Sequence, residues 1–369
     1  MLRFVLTRIG LPLLALLLLE GAFRSNWWER FAAPNSHASI SIRVKQALAA
    51  EPRRIDFVTL GSSRAVYGLD HARIAALAAN HGLVHANLSM PGSHWMSVIA
   101  VIDWLRSARP GVQGGIIALS ISDLKMIGNG NYELAIVRPF QSLVSDRGGL
   151  SQRFDWRDPG SFGAISALYQ YRRDLQDAVR HPLRRGADIG WLASLGRHQL
   201  FAGPKQPADT CALPWQTLAS CSAWQPVNAD QTHAVQVCRD LLVGAGMGGD
   251  WTQLDPSALP ADRQRVLDQR QRELRGIGWK QPPLVILLPV TEHWSRELLP
   301  RGIRAWAHTI LDPLVADGSI RLLDYSDFFD VAGHTRCDVF WDSYHQNAKG
   351  MGELTDALLP EIERQLYAP

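Results

Sequence analysis

Features that mark metal-binding, nucleotide-binding and nucleic-acid-binding proteins are missing from this chain of 369 residues. Its four cysteines form no Cys-x-x-Cys pair, which argues against a structural zinc site. The glycine cluster at 246–249 lacks the Lys-Ser/Thr ending of a phosphate loop. The formal net charge is only +3 and the basic residues are scattered, so nothing indicates a nucleic-acid partner. We therefore expect no metal, no cofactor and no nucleic acid.

The cysteines themselves carry a weak indication of compartment. Cys211, Cys221, Cys238 and Cys337 can pair in an oxidising environment, and the sequence leaves their connectivity open. Pairing of Cys211 with Cys221 would close a short loop and leave Cys238 to pair with Cys337. A cytoplasmic body would keep all four as free thiols.

Long hydrophobic runs are also scarce, and the one candidate lies near the N-terminus. Residues 9–19 are leucine-rich and follow Arg8, and extension over 4–23 lengthens the segment to about 20 residues, enough to cross a bilayer if Arg8 and Glu20 reach its surfaces. Trp27 and Trp28 would then lie at the outer interface. This pattern predicts a single-pass anchor in the inner (cytoplasmic) membrane, with the body on the periplasmic side.

A cleaved signal peptide is the alternative interpretation, because an apolar stretch of this length also fits one. The small-residue neighbourhoods at 32–33 and 37–39 would be poor cleavage sites. Either interpretation exports the body of the protein. The predicted organisation is an anchor at 1–24, a juxtamembrane linker at 25–50 and one catalytic domain at 51–369.

Alternating strand and helix patterns predict an α/β fold for that domain, with a parallel sheet between two layers of helices. Strands are expected at 57–60, 83–87, 115–120, 284–289 and 320–324, and helices at 65–80, 94–107, 295–317 and 349–366. A partly helical insertion is expected at about 140–280, with amphipathic or charged helix candidates at 165–179 and 261–274. It could cover the active site as a lid or dock a membrane partner.

Two short motifs carry the chemistry. Gly61-Ser62-Ser63 follows an apolar β-rich run and presents two hydroxyls in a strand-to-helix turn. Asp342 and His345 lie three residues apart near the end of the chain, close enough for a carboxylate to orient an imidazole. Each motif has a structural interpretation, as a common turn and as a helix cap. Together they spell a Ser/Asp/His site.

These motifs and two others resemble those of the SGNH/GDSL hydrolase superfamily. Its second motif, a glycine that donates to the oxyanion, is matched by Gly92 in the run 87–92. Its third, Gly-x-Asn-Asp after a strand, is matched by 120–123, with Ser122 in place of the asparagine. The run 342–350 resembles its Asp-x-x-His-x-Asn-x-x-Gly ending. The resemblance covers about 55–125 and 283–367, and it implies a flavodoxin-like three-layer α/β/α sandwich.

The resemblance also implies a role for each residue. Ser63 takes the nucleophile position and Ser62 replaces the usual aspartate, for which we favour a turn hydroxyl bonded to its own backbone. His345 would be the general base, and Asp342 would hold its tautomer. Backbone N–H groups of Ser63 and Gly92, with Ser122, would bind the oxyanion. His94 and His293 are weaker candidates, since loop contacts explain them equally well.

The Gly-Ser-Ser variant of the first motif is similar to that of membrane-anchored relatives that modify cell-envelope polymers, such as the D-alanyl transfer protein of teichoic acid and the alginate O-acetylation proteins. This similarity implies an acyltransferase that acts on O-acyl groups, such as acetyl, of an extracytoplasmic polysaccharide, beside a membrane-embedded acyl-donor protein. An exported carbohydrate esterase that uses water is the first alternative. A catalytically silent glycan-binding or scaffold protein is the second.

Overall fold

The computed structural model describes residues 6–25, 27–33, 36–124, 134, 136–140, 156, 162–187, 259, 261–291, 302–342 and 344–366. The chain divides into two compact units, which are treated separately below. The first unit contains Met1–Pro52, Gly92–Ala108 and Gly128–Leu200. The second unit contains Arg53–Pro91, Arg109–Ile127 and Phe201–Pro369, and it holds the whole sheet.

The second unit is built on a five-stranded sheet in the order β2-β1-β3-β4-β5, and all neighbours are parallel. The strands are β1 Phe57–Gly61, β2 His85–Asn87, β3 Gly114–Leu119, β4 Leu284–Leu287 and β5 Arg321–Asp324. All five strands expected from the sequence are therefore confirmed. This order is one of the two common arrangements of doubly wound α/β sheets, in which ligands bind at the carboxyl ends of the strands.

The three central strands are apolar except for Thr59, because both faces of the sheet are covered. One set of alternating side chains packs with the helices in a single core, which includes Phe57, Ile116, Ala118, Leu284 and Ile286 from the strands. The intervening side chains point to the opposite face and are equally buried: Val58, Leu60, Ile117, Leu119, Val285 and Leu287. The arrangement is α/β and compatible with the expected three-layer sandwich.

Helices of the second unit occupy Ser63–Gly68, His71–Asn80, Ala261–Arg275, Ile303–Ala316 and Ala348–Leu366. Short 3₁₀ turns at Ile121–Leu124 and Cys337–Val339, and a small hairpin of β6 Asp330–Val331 and β7 His334–Thr335, complete the described elements of this unit. Cys337 is disulfide-bonded. The other three cysteines lie outside the described residues, so the expected connectivity stays a prediction.

The single helix expected at 65–80 is wrong in one respect, because the structure has two helices there. Leu69 is extended (φ −122°, ψ 132°) and ends the first helix. Asp70 then caps the second, where its carboxylate accepts the backbone N–H groups of Ala72 and Arg73, each at 3.1 Å. An aspartate that satisfies two free amides favours a new helix start over continuation.

Helices of the first unit begin with a π-helical turn, Leu6–Gly10, that runs directly into the α-helix Leu11–Arg24. The others are Trp27–Phe31, His37–Ala50, Trp95–Ala108, Arg138–Phe140, Phe162–Ile165, Ala167–Gln170 and Arg172–Arg180. The amphipathic segment expected at 165–179 is thus broken into short helices, because Ser166 caps a new start by accepting the N–H of Tyr169 at 3.1 Å. Among the residues with described positions, no helix is both long and apolar enough to span a bilayer.

Candidate active site

Ser63 is presented by a tight turn between β1 and the first helix of the second unit. β1 ends at Gly61, where an added Cβ would lie 2.5 Å from both the Ala118 carbonyl oxygen and the Ala65 Cβ, so only glycine fits. The Ser62 hydroxyl caps the helix and accepts the N–H of Arg64 at 3.4 Å, a long bond, as expected for a turn hydroxyl. Ser63 is therefore the first residue of its helix.

The Asp342 carboxylate organises the loop that contains His345. Its Oδ1 accepts the backbone N–H groups of Tyr344 at 2.9 Å and His345 at 2.7 Å. Its Oδ2 lies 2.7 Å from Nδ1 of the His345 ring. Asp342 is only 1% exposed, so this charge is held away from water and is compensated by three donors.

His345 connects the carboxylate to the serine. Its Nε2 lies 2.8 Å from the Ser63 Oγ, across 282 positions of sequence. Because the carboxylate can only accept, the proton on the imidazole belongs on Nδ1, and Nε2 is left to accept the Ser63 hydroxyl proton. The structure thus brings together the three residues predicted as a triad, in hydrogen-bonded sequence Ser63, His345, Asp342. This arrangement can generate a serine nucleophile.

The residues after His345 explain the rest of the C-terminal motif. Asn347 donates from Nδ2 to the carbonyls of Asp338 (2.9 Å) and Phe340 (3.3 Å), and its Oδ1 accepts the N–H of Gly350 at 3.0 Å. An added Cβ at Gly350 would lie 2.1 Å from the Val339 carbonyl oxygen, so the helix can approach the loop only with glycine there. The asparagine and glycine hold the loop that positions Asp342 and His345.

Three aromatic rings surround the His345 imidazole, and sequence analysis missed them. Ring centroids of Tyr344, Tyr67 and Trp341 lie 4.1, 5.4 and 6.0 Å from that of His345. The Arg64 guanidinium lies over the Tyr344 ring at 4.8 Å. Burial and the nearby Asp342 charge raise the pKa of the Tyr67 phenol. Tyr67 follows Ser63 by four positions on one helix, and that spacing was the available signal.

The two residues predicted to help bind the oxyanion, Gly92 and Ser122, lie in different units of the chain. Gly92 adopts a left-handed conformation (φ +75°) that favours glycine, and it begins a segment of the first unit. Ser122 lies in the second unit, where its hydroxyl is 2.9 Å from that of Ser120 and its N–H donates to the Ser120 hydroxyl at 3.3 Å. The Ser122 hydroxyl therefore already has a local partner. Oxyanion binding by either residue stays a prediction.

The two weaker histidine candidates receive no support. His94 lies in the first unit, where its carbonyl accepts N–H groups at the start of the helix Trp95–Ala108. His293 lies outside the described residues. Within the described ranges, no group of three or more His, Cys, Asp or Glu side chains could hold a metal ion.

Two histidines, His71 and His85, lie in contact at the edge of the sheet beside the Ser63 helix. The rings stack at 6.3 Å with an interplanar angle of 11°, and the Nε2 of His71 donates to the Ala65 carbonyl at 2.9 Å. Burial lowers the pKa of His71 to about 4. Burial, with the neighbouring His71, lowers the pKa of His85 to about 3. Both rings are neutral at pH 7.

We expect the free energy of unfolding to fall as the pH drops from about 6.5, the ordinary histidine pKa, towards 4. Below pH 6.5 the unfolded chain binds protons that the folded pair excludes, so the loss should reach a few kcal/mol. Urea unfolding at several pH values measures it. The variant His85→Gln should flatten this pH dependence, and an equally steep fall in that variant would assign the effect to other groups.

Gly68, at the end of the Ser63 helix, provides a test of packing around the site. An added Cβ would lie 2.7 Å from the Oε1 of Gln346, whose Nε2 is fixed to the Pro289 carbonyl at 2.8 Å. Gly68→Ala should therefore cost about 1–3 kcal/mol of unfolding free energy by displacing the residue next to His345. Gly352→Ala, in open space on a helix, is the control and should be neutral or stabilising. Equal effects of the two would contradict the packing argument.

Comparison of the chain with protein-family models and with curated proteins finds no match. The geometry of the site is therefore the basis for assigning a function.

Proposed function

We propose that the protein is a serine-dependent acyltransferase or esterase of the SGNH type. The observation that carries this proposal is the continuous hydrogen-bonded path from Ser63 Oγ through His345 to Asp342, with distances of 2.8 and 2.7 Å. The same two contacts recur in serine acyl-transfer enzymes with unrelated folds, because the chemistry needs a base that is itself oriented by a carboxylate. A purely structural turn and helix cap would not require the two motifs to meet.

In the proposed mechanism, the Ser63 Oγ attacks the acyl carbonyl carbon while its proton passes to His345 Nε2. The carbonyl oxygen becomes an oxyanion, for which the N–H of Ser63 at the helix N-terminus is one available donor. When the bond to the leaving oxygen breaks, His345 returns the proton to it, and an acyl-serine remains. Asp342 stabilises the imidazolium in both steps.

The second half-reaction separates a transferase from an esterase. An acceptor hydroxyl gives its proton to His345 and attacks the acyl-serine. A new ester forms, the bond to the Ser63 Oγ breaks, and His345 returns the proton to that oxygen. If water is the acceptor, the product is a carboxylic acid. We propose the transferase. The acyl group would be acetyl or a similar small group supplied by a membrane-embedded donor protein, and the acceptor would be a hydroxyl of an envelope polysaccharide. A strict requirement for a glycan acceptor would favour it, and rapid hydrolysis of simple acyl esters would favour the esterase.

The proposed location is the inner membrane, with the second unit on the periplasmic side. Two observations support it. Cys337 is disulfide-bonded, and disulfides persist mainly in oxidising compartments. The leucine side chains of the N-terminal helix are exposed, for example Leu17 at 62% and Leu18 at 66%.

A serine-directed fluorophosphonate tests the proposed nucleophile. Intact mass should show one adduct on the wild type and on Ser62→Ala, and none on Ser63→Ala. Ser62 is the matched control because it is the adjacent hydroxyl in the same turn. An adduct that survives in Ser63→Ala, or no adduct on the wild type, would contradict the proposal and favour a silent binding role.

A further inference from the structure

The N-terminal helix Leu11–Arg24 presents two different surfaces along its length. From Ile9 to Leu19, large apolar side chains are exposed on all sides of the helix axis: Ile9, Leu11, Leu13, Leu14, Leu16, Leu17, Leu18 and Leu19, each between 48% and 66%. A helix that docks on a protein surface needs only one apolar stripe, whereas a helix that is apolar on all sides suits a lipid environment. Lipid is therefore the occupant that this surface fits.

The last turn of the same helix is instead bound to the first unit through Glu20. Its Oε1 accepts the N–H of Ala167 at 2.8 Å, and its Oε2 accepts the Ser166 hydroxyl at 2.8 Å and the N–H of Leu168 at 3.0 Å. Arg24 pairs with this carboxylate at 2.7 Å and also donates to the Ile165 carbonyl. Because these partners satisfy the charge, Glu20 does not need water.

Apolar packing continues this attachment. Phe23 is 3% exposed and belongs to a core cluster with Trp28, Ala32, Ala38, Ile42, Ala167 and Tyr171. The Phe23 ring stacks on Trp28 at 5.1 Å and lies 6.0 Å from Tyr171. The end of the helix is therefore part of a folded core.

A buried charge network fixes the residues that follow. The Asp174 carboxylate accepts the indole N–H of Trp28 at 2.6 Å and the backbone N–H of Ala33 at 2.7 Å. Arg185, only 4% exposed, donates to this carboxylate at 2.9 Å and to the Phe31 carbonyl at 3.2 Å. Side chains and backbone of residues 20–33 thus pack against the segment 162–187 and hydrogen-bond to it.

We propose that the N-terminal helix is a permanent anchor, because residues 20–33 form a folded collar with 162–187 that keeps the helix attached at the membrane surface. Residues 9–19 would lie in lipid over about 15 Å, with Glu20 at the boundary. This inference rests on the proposed membrane location and is independent of the proposed chemistry.

The collar favours an uncleaved anchor over a cleaved signal peptide. Both small-residue neighbourhoods that could be cleaved are buried: Ala32, in the collar, is 5% exposed, and Ala38, which packs in the same core cluster, is 3% exposed. Cleavage there would require the core to open, and it would remove Glu20, Phe23 and Trp28 from their partners. Ala167 and Tyr171 would then lose Phe23 and Trp28 from the cluster.

Three variants of the full chain test separately whether the exposed part of the helix binds lipid and whether its last turn is held by the collar. Leu14→Lys with Leu17→Lys charges the exposed surface, Glu20→Ala breaks the collar, and Leu17→Ala is the control on the same helix. The measurements are membrane flotation, intact mass of the recovered chain, Tm in detergent, and trypsin cleavage after Arg172 and Arg173.

We expect the wild type to float with membranes and to retain residues 1–24. The double lysine variant should lose flotation with its Tm unchanged. Glu20→Ala should still float, with a Tm lower by about 5 °C and trypsin cleavage about tenfold faster. Leu17→Ala should match the wild type in every assay.

A mature chain that begins at or after residue 33, or a Glu20→Ala variant with unchanged Tm and cleavage, would overturn the proposal. So would flotation that survives the double lysine change. Fluorophosphonate labelling of the same preparations reports on the proposed chemistry alone, so failure of the anchor and failure of the enzyme can be told apart.

Discussion

Replacement of Ser63 by alanine is expected to reduce kcat/KM for acyl transfer by at least about 10⁴-fold. The change removes the atom proposed to form the acyl-enzyme, the Ser63 Oγ that lies 2.8 Å from His345 Nε2. The side chain is half-buried and lies at the first turn of its helix, so its loss should leave folding nearly intact. Initial rates with an acyl ester, with and without a glycan acceptor, measure the effect.

Ser62→Ala is the control for this experiment. Its hydroxyl caps the Ser63 helix by accepting the Arg64 N–H at 3.4 Å, so its removal should cost about 1 kcal/mol of stability and little rate. If Ser62→Ala eliminated activity and Ser63→Ala retained it, the nucleophile would have to be reassigned to Ser62.

Asp342→Asn is expected to lower kcat by about 10³–10⁴-fold without abolishing it. The amide can keep one oxygen for the N–H groups of Tyr344 and His345, but its NH₂ then faces His345 Nδ1, where the carboxylate oxygen lies at 2.7 Å. A donor at that position favours the tautomer with the proton on Nε2, which cannot accept from Ser63. Steady-state kinetics should show the loss in kcat with KM little changed.

Asp338→Asn is the matched control, because Asp338 lies in the same loop but pairs with Arg336 and Lys349 at the surface. Its carbonyl, which accepts from Asn347, is unaffected by the change. We expect wild-type activity and at most a small loss of stability. If Asp342→Asn had the same kcat as Asp338→Asn, Asp342 would have to be removed from the triad.

Local patterns predicted the strands well. The three central strands are short, almost wholly apolar runs, and burial on both faces removes the need for polar alternation in them. The edge strands β2 (His85–Asn87) and β5 (Arg321–Asp324) begin and end with polar residues and are only partly buried. The helix at 65–80 was less predictable. Its apolar spacing continues past Gly68. The helix is broken in two because Asp70 caps the start of a second helix and does not continue the first.

The candidate site was predictable where its residues are close in sequence. Asp342 and His345 are three positions apart, and the hydrogen bonds of Asp342 to the intervening backbone follow from that spacing. The rings of Tyr67 and Trp341 were not predictable, because they meet His345 only after strands and helices from distant parts of the chain assemble. Tyr67 alone has a local signal, its position one turn after Ser63.

The sequence by itself determined the α/β alternation, the order of the two candidate catalytic motifs and the apolar N-terminal run, since each depends on neighbouring residues alone. The tertiary structure decided that Ser63 and His345 are in hydrogen-bond contact, because 282 positions separate them and only the parallel sheet order brings their loops to one rim. It also decided what Glu20 does. In the sequence it is a charge that interrupts an apolar run. In the fold this half-buried carboxylate accepts hydrogen bonds from Ser166, Ala167 and Leu168, which are its neighbours only because distant parts of the chain pack together.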